Sequence, residues 1–122
     1  MQIPTDDEFD TLVSNALDSL PQKYTDKLDN VAIVYADEPT PQQRQQLNLR
    51  CDQTLLGLYE GLPLPARNGV VKLLPDKITL FKHPLANNSQ TQKELQENVR
   101  HTLWHEMAHY FGLDHPRIHE LE

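Results

Sequence analysis

Along the first twenty residues, apolar side chains recur every three to four positions, the spacing of a helix that buries one face. Thr5 can cap such a helix, and the acids at 6–8 suit the positive end of its dipole. Pro21 stops the pattern. An amphipathic helix is therefore predicted over about residues 6–20. Its core-facing residues are Phe9, Leu12, Val13, Ala16, Leu17 and Leu20.

Short, continuous apolar runs come next and are typical of buried strands. Four of them are predicted strands: Val31–Tyr35, Leu55–Tyr59, Val70–Leu74 and Ile78–Phe81. Pro75 and Asp76 would form the turn between the last two. The polar stretch 42–49 predicts a short helix or a loop, and His83, beside a proline, is expected in a loop.

The longest helical segment lies near the C-terminus. Ser89 or Thr91 could cap it, and neither proline nor glycine interrupts the chain from there to Phe111. About 20 helical residues would span roughly 30 Å. Gly112 stands where a C-terminal capping glycine belongs.

Composition narrows the class of protein. A chain of 122 residues suits one domain, expected over 1–122, and its single cysteine, Cys51, allows no internal disulfide. The net charge of −7 argues against a nucleic-acid partner. The N-terminus lacks a secretory signal pattern, and no segment approaches the roughly 18 apolar residues needed to span a bilayer. A cytoplasmic protein without a membrane partner is expected.

The candidate chemistry lies in the last predicted helix, where residues 105–109 read His-Glu-Met-Ala-His. Two residues four apart on a helix lie about 40° apart around its axis and one turn along it. The imidazoles of His105 and His109 would therefore point the same way and could hold one zinc ion. Glu106 would face a metal-bound water, not the metal itself.

A third ligand is expected beyond the helix, because a catalytic zinc site usually has three protein ligands and one water. Gly112 would let the chain turn back sharply, which could bring His115 to the ion. Asp114 and His119 are the alternatives. The extended pattern His-Glu-x-x-His-x-x-Gly-x-x-His would occur in roughly one of thirty thousand shuffled chains, so it is much stronger than the five-residue motif. His101, one turn before His105, has no role in this pattern.

These residues resemble the metzincin clan of zinc peptidases, and more closely the small bacterial zincin-like domains with a minimal metzincin-type fold. The similarity also includes the segments VAIVYADEP, LLGLYEG and LPDKITLFKHP. The resemblance implies an α+β fold in which a small mixed sheet packs on helices, with the motif on the long C-terminal helix.

The same resemblance implies a zinc-dependent metallopeptidase. His105, His109 and His115 would bind Zn²⁺, and Glu106 would act as general base on a zinc-activated water. Relatives of this small family often carry an acidic residue at the third-ligand position. A peptide or protein substrate is expected, and the sequence leaves its identity and the oligomeric state open. An extended peptide could pair with a sheet edge, for which the strand near 55–61 is the candidate.

One departure from the metzincin pattern keeps alternatives open. Metzincins have a methionine turn beneath the metal, whereas the residues after His115 include no methionine. A non-catalytic zinc-binding domain that acts as a protein-interaction module is therefore the main alternative, and an interaction module without metal is the third. Tyr59 and Tyr110 are candidates for oxyanion stabilisation, but only minor ones. Aromatic packing is the expected role of both.

Overall fold

The computed structural model describes residues 2–28, 30–46, 55–62 and 75–113. Helices and strands alternate irregularly along these residues, which confirms the predicted α+β class. The elements in chain order are α1 (Asp6–Ser19), α2 (Gln22–Thr25), β1 (Val31–Ala36), α3 (Pro41–Gln46), β2 (Gly57–Glu60), β3 (Asp76–Phe81), α4 (Lys82–Asn87) and α5 (Gln92–Tyr110). The predicted strand at 70–74 and Cys51 lie outside the described residues.

Helix α1 forms as its sequence pattern predicts. The Thr5 side chain accepts a hydrogen bond from the Glu8 backbone, and the Glu8 side chain accepts one from the Thr5 backbone, which completes a capping box. The bond from the Thr5 amide lowers the pKa of Glu8. The apolar stripe of α1 is buried, with Phe9 and Ala16 fully enclosed. Its acidic side chains face solvent.

The three described strands form a mixed sheet in the order β1-β3-β2. Strands β1 and β3 run parallel, whereas β2 runs antiparallel to β3. Strand β2 therefore lies at one edge of the described sheet, as predicted for the strand near 55–61. In the register of the sheet, Tyr59 is opposite Ile78, and residues directly opposite each other share a face.

Helix α5 packs against α1 and against strands β2 and β3. Of the two predicted caps, Thr91 is the one that accepts a hydrogen bond from the helix, at the Glu94 amide. Gly112 has a φ of 75°, and Leu113 donates to the carbonyl of Ala108 at 3.0 Å. The predicted glycine at the helix end is thus confirmed. The buried core side of α5 includes Leu95, Val99, Leu103, Trp104, Met107 and Ala108.

Two local predictions are wrong. Asp76 is not in a turn: it is the first residue of β3 and is fully buried. His83 is not in a loop, because α4 begins at Lys82. Pro84 is compatible with that helix since it stands in the first turn, where a backbone N–H would have no partner within the helix.

Lys82 connects α4 to two other elements through ion pairs. The residue is 7% exposed, and its Nζ lies 2.5 Å from Asp6 Oδ1 and 3.3 Å from Asp37 Oδ1. The hydrogen bond to Asp6 raises the pKa of Lys82. These contacts join the start of α1 to the carboxyl ends of β1 and β3, where the two parallel strands finish side by side.

We expect folding stability to decline in the alkaline range as Lys82 loses its proton. Because the pKa is raised in the folded state, the stabilisation is fully present below the unfolded value of about 10.4 and is lost as the pH rises through the folded-state pKa. Lys82→Met keeps the apolar stem and removes the charge. Urea unfolding at several pH values should therefore show a shallower alkaline decline for Lys82→Met than for the wild type.

Lys93→Met serves as the matched control for this comparison. Lys93 is exposed on α5, so its replacement changes the net charge by the same amount without touching the Lys82 ion pairs. An alkaline decline in Lys82→Met as steep as in the wild type would show that these pairs do not contribute.

No helix within the described residues combines the length and the apolar character that crossing a membrane requires.

Candidate metal centre

Three potential metal ligands come together on the last two turns of α5. One ligand atom each from His105, Glu106 and His109 lies within 4.8 Å of the other two. The two imidazole rings stand nearly perpendicular, at 82°, with their centroids 4.9 Å apart. Both histidines are half-buried, and Glu106 is 8% exposed. Helical spacing alone brings the rings together, as the sequence analysis predicted.

Strand β2 holds the Glu106 carboxylate. The backbone N–H of Tyr59 donates to Glu106 Oε1 at 2.9 Å. The other oxygen, Oε2, lies 3.1 Å from Nδ1 of His105. If the Glu106 carboxylate accepts this bond, Nδ1 of His105 is the donor and Nε2 is the ring nitrogen that would face a metal. The Tyr59 N–H orients the Glu106 carboxylate, and the contact with His105 would select this tautomer.

The hydrogen bonds of the sheet explain why Tyr59 can reach Glu106. Phe81 donates to the carbonyl of Leu56 at 2.9 Å, and hydrogen-bonded pairs alternate along an antiparallel ladder. Leu58 and Glu60 are therefore the next residues bonded to β3, whereas Gly57 and Tyr59 direct their backbone groups away from β3. Glu106 receives the Tyr59 N–H on that side.

Gly57 allows α5 to approach β2 closely. A Cβ atom at Gly57 would lie 2.7 Å from Cγ2 of Thr102, which is one turn before Glu106 on α5. Any larger residue at this position would force the Thr102 side chain or the packing of β2 against α5 to shift. The contact between Tyr59 and Glu106 depends on this spacing.

Open space lies on both sides of Glu106. A cavity of about 460 Å³ is lined by Leu58, Tyr59, Gly61 and His109 together with Glu106. A second cavity, of about 280 Å³, reaches His105. Leu55 and Gly57 line both cavities, so the space follows β2 past the candidate ligands.

The predicted site residues divide into those that the structure brings together and those that it does not describe. His105, Glu106 and His109 converge. The predicted third ligand, His115, and its alternatives Asp114 and His119 lie outside the described residues.

The structure also describes three other residues that were considered from the sequence, namely His101, Tyr59 and Tyr110. His101 is exposed, and the group of convergent ligands does not include it. Tyr59 and Tyr110 pack edge to face with centroids 6.2 Å apart, which agrees with the aromatic packing expected for both.

The donor set fits a divalent metal of the zinc type. Imidazole nitrogen is a preferred ligand of zinc, and a carboxylate beside two histidines is typical of catalytic zinc sites. Within the described residues, His105, Glu106 and His109 form the only group of at least three such side chains close enough to hold an ion.

The backbone of β2 is part of the site but was not predicted from the sequence. A glycine within a strand pattern can mark a close backbone approach, and Gly57 carried that signal in the middle of the predicted strand. No comparable signal exists for the N–H of Tyr59, because its role depends on the docking of β2 against α5.

Comparison with known proteins adds three findings. The model of a family described as zincin-like metallopeptidase matches residues 28–122. Among solved structures, a conserved hypothetical protein from Thermo thermophilus aligns with a TM-score of 0.57 and 18% identity, covering 88% of this chain and 94% of that one. At that identity the likeness concerns the fold alone. Among curated proteins, no sequence matches this chain.

Proposed function

Since the chain belongs to the zincin-like metallopeptidase family, we propose that it is a zinc-dependent peptidase in which Glu106 is the general base. One observation carries this proposal: the ligand atoms of His105, Glu106 and His109 converge within 4.8 Å beside cavities that follow an edge strand. A site of this kind combines metal ligands, a carboxylate and room for an extended chain.

His105 and His109 would hold the metal, and His115 is the proposed third ligand, with Asp114 and His119 as alternatives. Zinc, when bound, polarises a carbonyl oxygen and lowers the pKa of a water molecule towards neutrality. The hydrogen bond between His105 Nδ1 and Glu106 Oε2 supports ligation through Nε2.

Glu106 would move the proton. Its carboxylate takes a proton from the attacking water, whose oxygen forms a bond to the scissile carbonyl carbon. The same group then delivers that proton to the amide nitrogen as the carbon–nitrogen bond breaks. The N–H of Tyr59 occupies one lone pair of Oε1, and the contact with His105 occupies one lone pair of Oε2. The other lone pair of each oxygen would serve this transfer.

The substrate would bind as an extended strand along β2. Gly57 and Tyr59 direct backbone groups away from β3, and an added strand would pair with such groups except at the Tyr59 N–H, which is donated to Glu106. The scissile carbonyl would lie near this point, because Glu106, His105 and His109 line the cavities along β2.

A fluorogenic peptide library tests the proposal. Zinc-loaded protein purified without a histidine tag should cleave some members of the library, a chelator should stop the cleavage, and added zinc should restore it. Protein that holds one zinc per chain but cleaves none of the peptides would contradict the proposal. That result would favour a non-catalytic zinc-binding module for protein interaction.

A further inference from the structure

Asp76 is a buried carboxylate that takes no part in the mechanism above. It is fully buried, accepts a hydrogen bond from the hydroxyl of Tyr59, and accepts another from the backbone N–H of Leu62 at 3.3 Å. Removing a carboxylate from water is costly unless its oxygens find donors. Both donors come from β2 and the turn that follows it.

The turn after β2 is shaped around this carboxylate. Gly61 has a φ of 153°, a conformation that residues with a side chain rarely adopt. A Cβ atom there would overlap the carboxylate of Asp76. The chain therefore passes closely over Asp76 directly after the end of β2.

Tyr59 connects Asp76 to the candidate metal centre. Its hydroxyl donates to Asp76, while its backbone N–H donates to Glu106 Oε1 at 2.9 Å. Between these two bonds the ring packs against Tyr110. Tyr59 is thus held by its hydroxyl at Asp76, while its backbone N–H contacts Glu106, the proposed base.

We infer that Asp76 and Tyr59 are positioning residues for Glu106, an inference that rests on the proposed function. Asp76 holds the Tyr59 hydroxyl, which fixes β2 so that the Tyr59 N–H keeps Glu106 oriented. The hydroxyl has a single proton and uses it in the hydrogen bond to Asp76, so Tyr59 is not the oxyanion donor. Tyr59 would instead act on Glu106 through its backbone N–H.

Tyr59→Phe tests this inference, because it removes the hydroxyl and keeps the ring. Amide hydrogen exchange at residue 59, followed by nuclear magnetic resonance, should become about tenfold faster as the bond to Glu106 opens more often. With a cleaved peptide, kcat should fall about tenfold while KM stays within about twofold, since orientation of the base matters in the transition state.

Tyr35→Phe is the matched control. Tyr35 lies on β1, at the other edge of the described sheet, and its hydroxyl donates to the carbonyl of Asp6. Loss of that bond lowers general stability without touching Asp76. Exchange at residue 59 and kcat should therefore stay close to the wild type. Asp76→Asn is a second variant, expected to change both quantities in the same direction as Tyr59→Phe.

The outcomes separate the inference from the proposed function. Unchanged exchange at residue 59 in Tyr59→Phe overturns the inference, as does an equal change in Tyr35→Phe or faster exchange without a fall in kcat. If the wild type cleaves no peptide, the proposed function fails, and the exchange measurement alone decides whether Asp76 and Tyr59 hold Glu106. Should Asp76→Asn not fold, Tyr59→Phe still decides.

Discussion

Glu106→Gln is expected to reduce peptide hydrolysis by about 10²–10⁴-fold, the range for loss of general acid–base catalysis. Glutamine keeps the shape of the side chain and can still accept the hydrogen bond from Tyr59 at its amide oxygen. His105 and His109 are unchanged, so zinc should stay bound. Steady-state kinetics and zinc analysis on the same preparation measure both effects.

Glu97→Gln is the control for that variant. Glu97 is exposed on the same helix, and its replacement changes the net charge equally. Cleavage by Glu106→Gln at the wild-type rate would show that Glu106 is not the base. Loss of zinc together with loss of activity would instead make Glu106 a metal ligand, which its place among the three convergent side chains allows.

His109→Ala should weaken zinc binding by more than about 100-fold. Loss of a residue that only hydrogen-bonds to a metal ligand already weakens metal binding by up to about 100-fold, and His109 is itself a proposed ligand. The variant leaves one histidine and one carboxylate of the convergent group. Competition with a chelator of known affinity, using untagged protein, gives the change directly.

His101→Ala is the matched control, because His101 lies one turn before His105 on the same helix but outside the convergent group. The zinc affinity of His101→Ala should equal that of the wild type. Equal affinity in His109→Ala as well would mean that the metal is held elsewhere, and the proposed centre would be wrong.

Local patterns predicted the elements that carry the candidate metal ligands. Helix α5 begins after a capping threonine and ends before Gly112, and the spacing of His105 and His109 on it follows from helix geometry alone. The buried face of α1 likewise follows from its periodicity. These features depend on residues close in sequence, which is why the sequence was sufficient.

Features that depend on tertiary partners were not predicted. Asp76 resembles a turn residue in the sequence, yet it starts a buried strand because Tyr59 and Leu62 supply donors for its carboxylate. Strand β2 begins at Gly57, two residues later than predicted, where the helix passes closest. Helix α4 was not predicted either, because Pro84 favours a loop unless it falls in the first turn of a helix.

The mixed sheet also implies an order of assembly. Helix α5 is local and can form within microseconds, whereas β3 pairs with β1, a strand far away along the chain, and loop closure makes such pairing slower. During folding, the two histidines can therefore stand one turn apart before β2 has docked. We expect a newly made chain to capture metal early and to become competent only later, when the sheet has brought Tyr59 to Glu106.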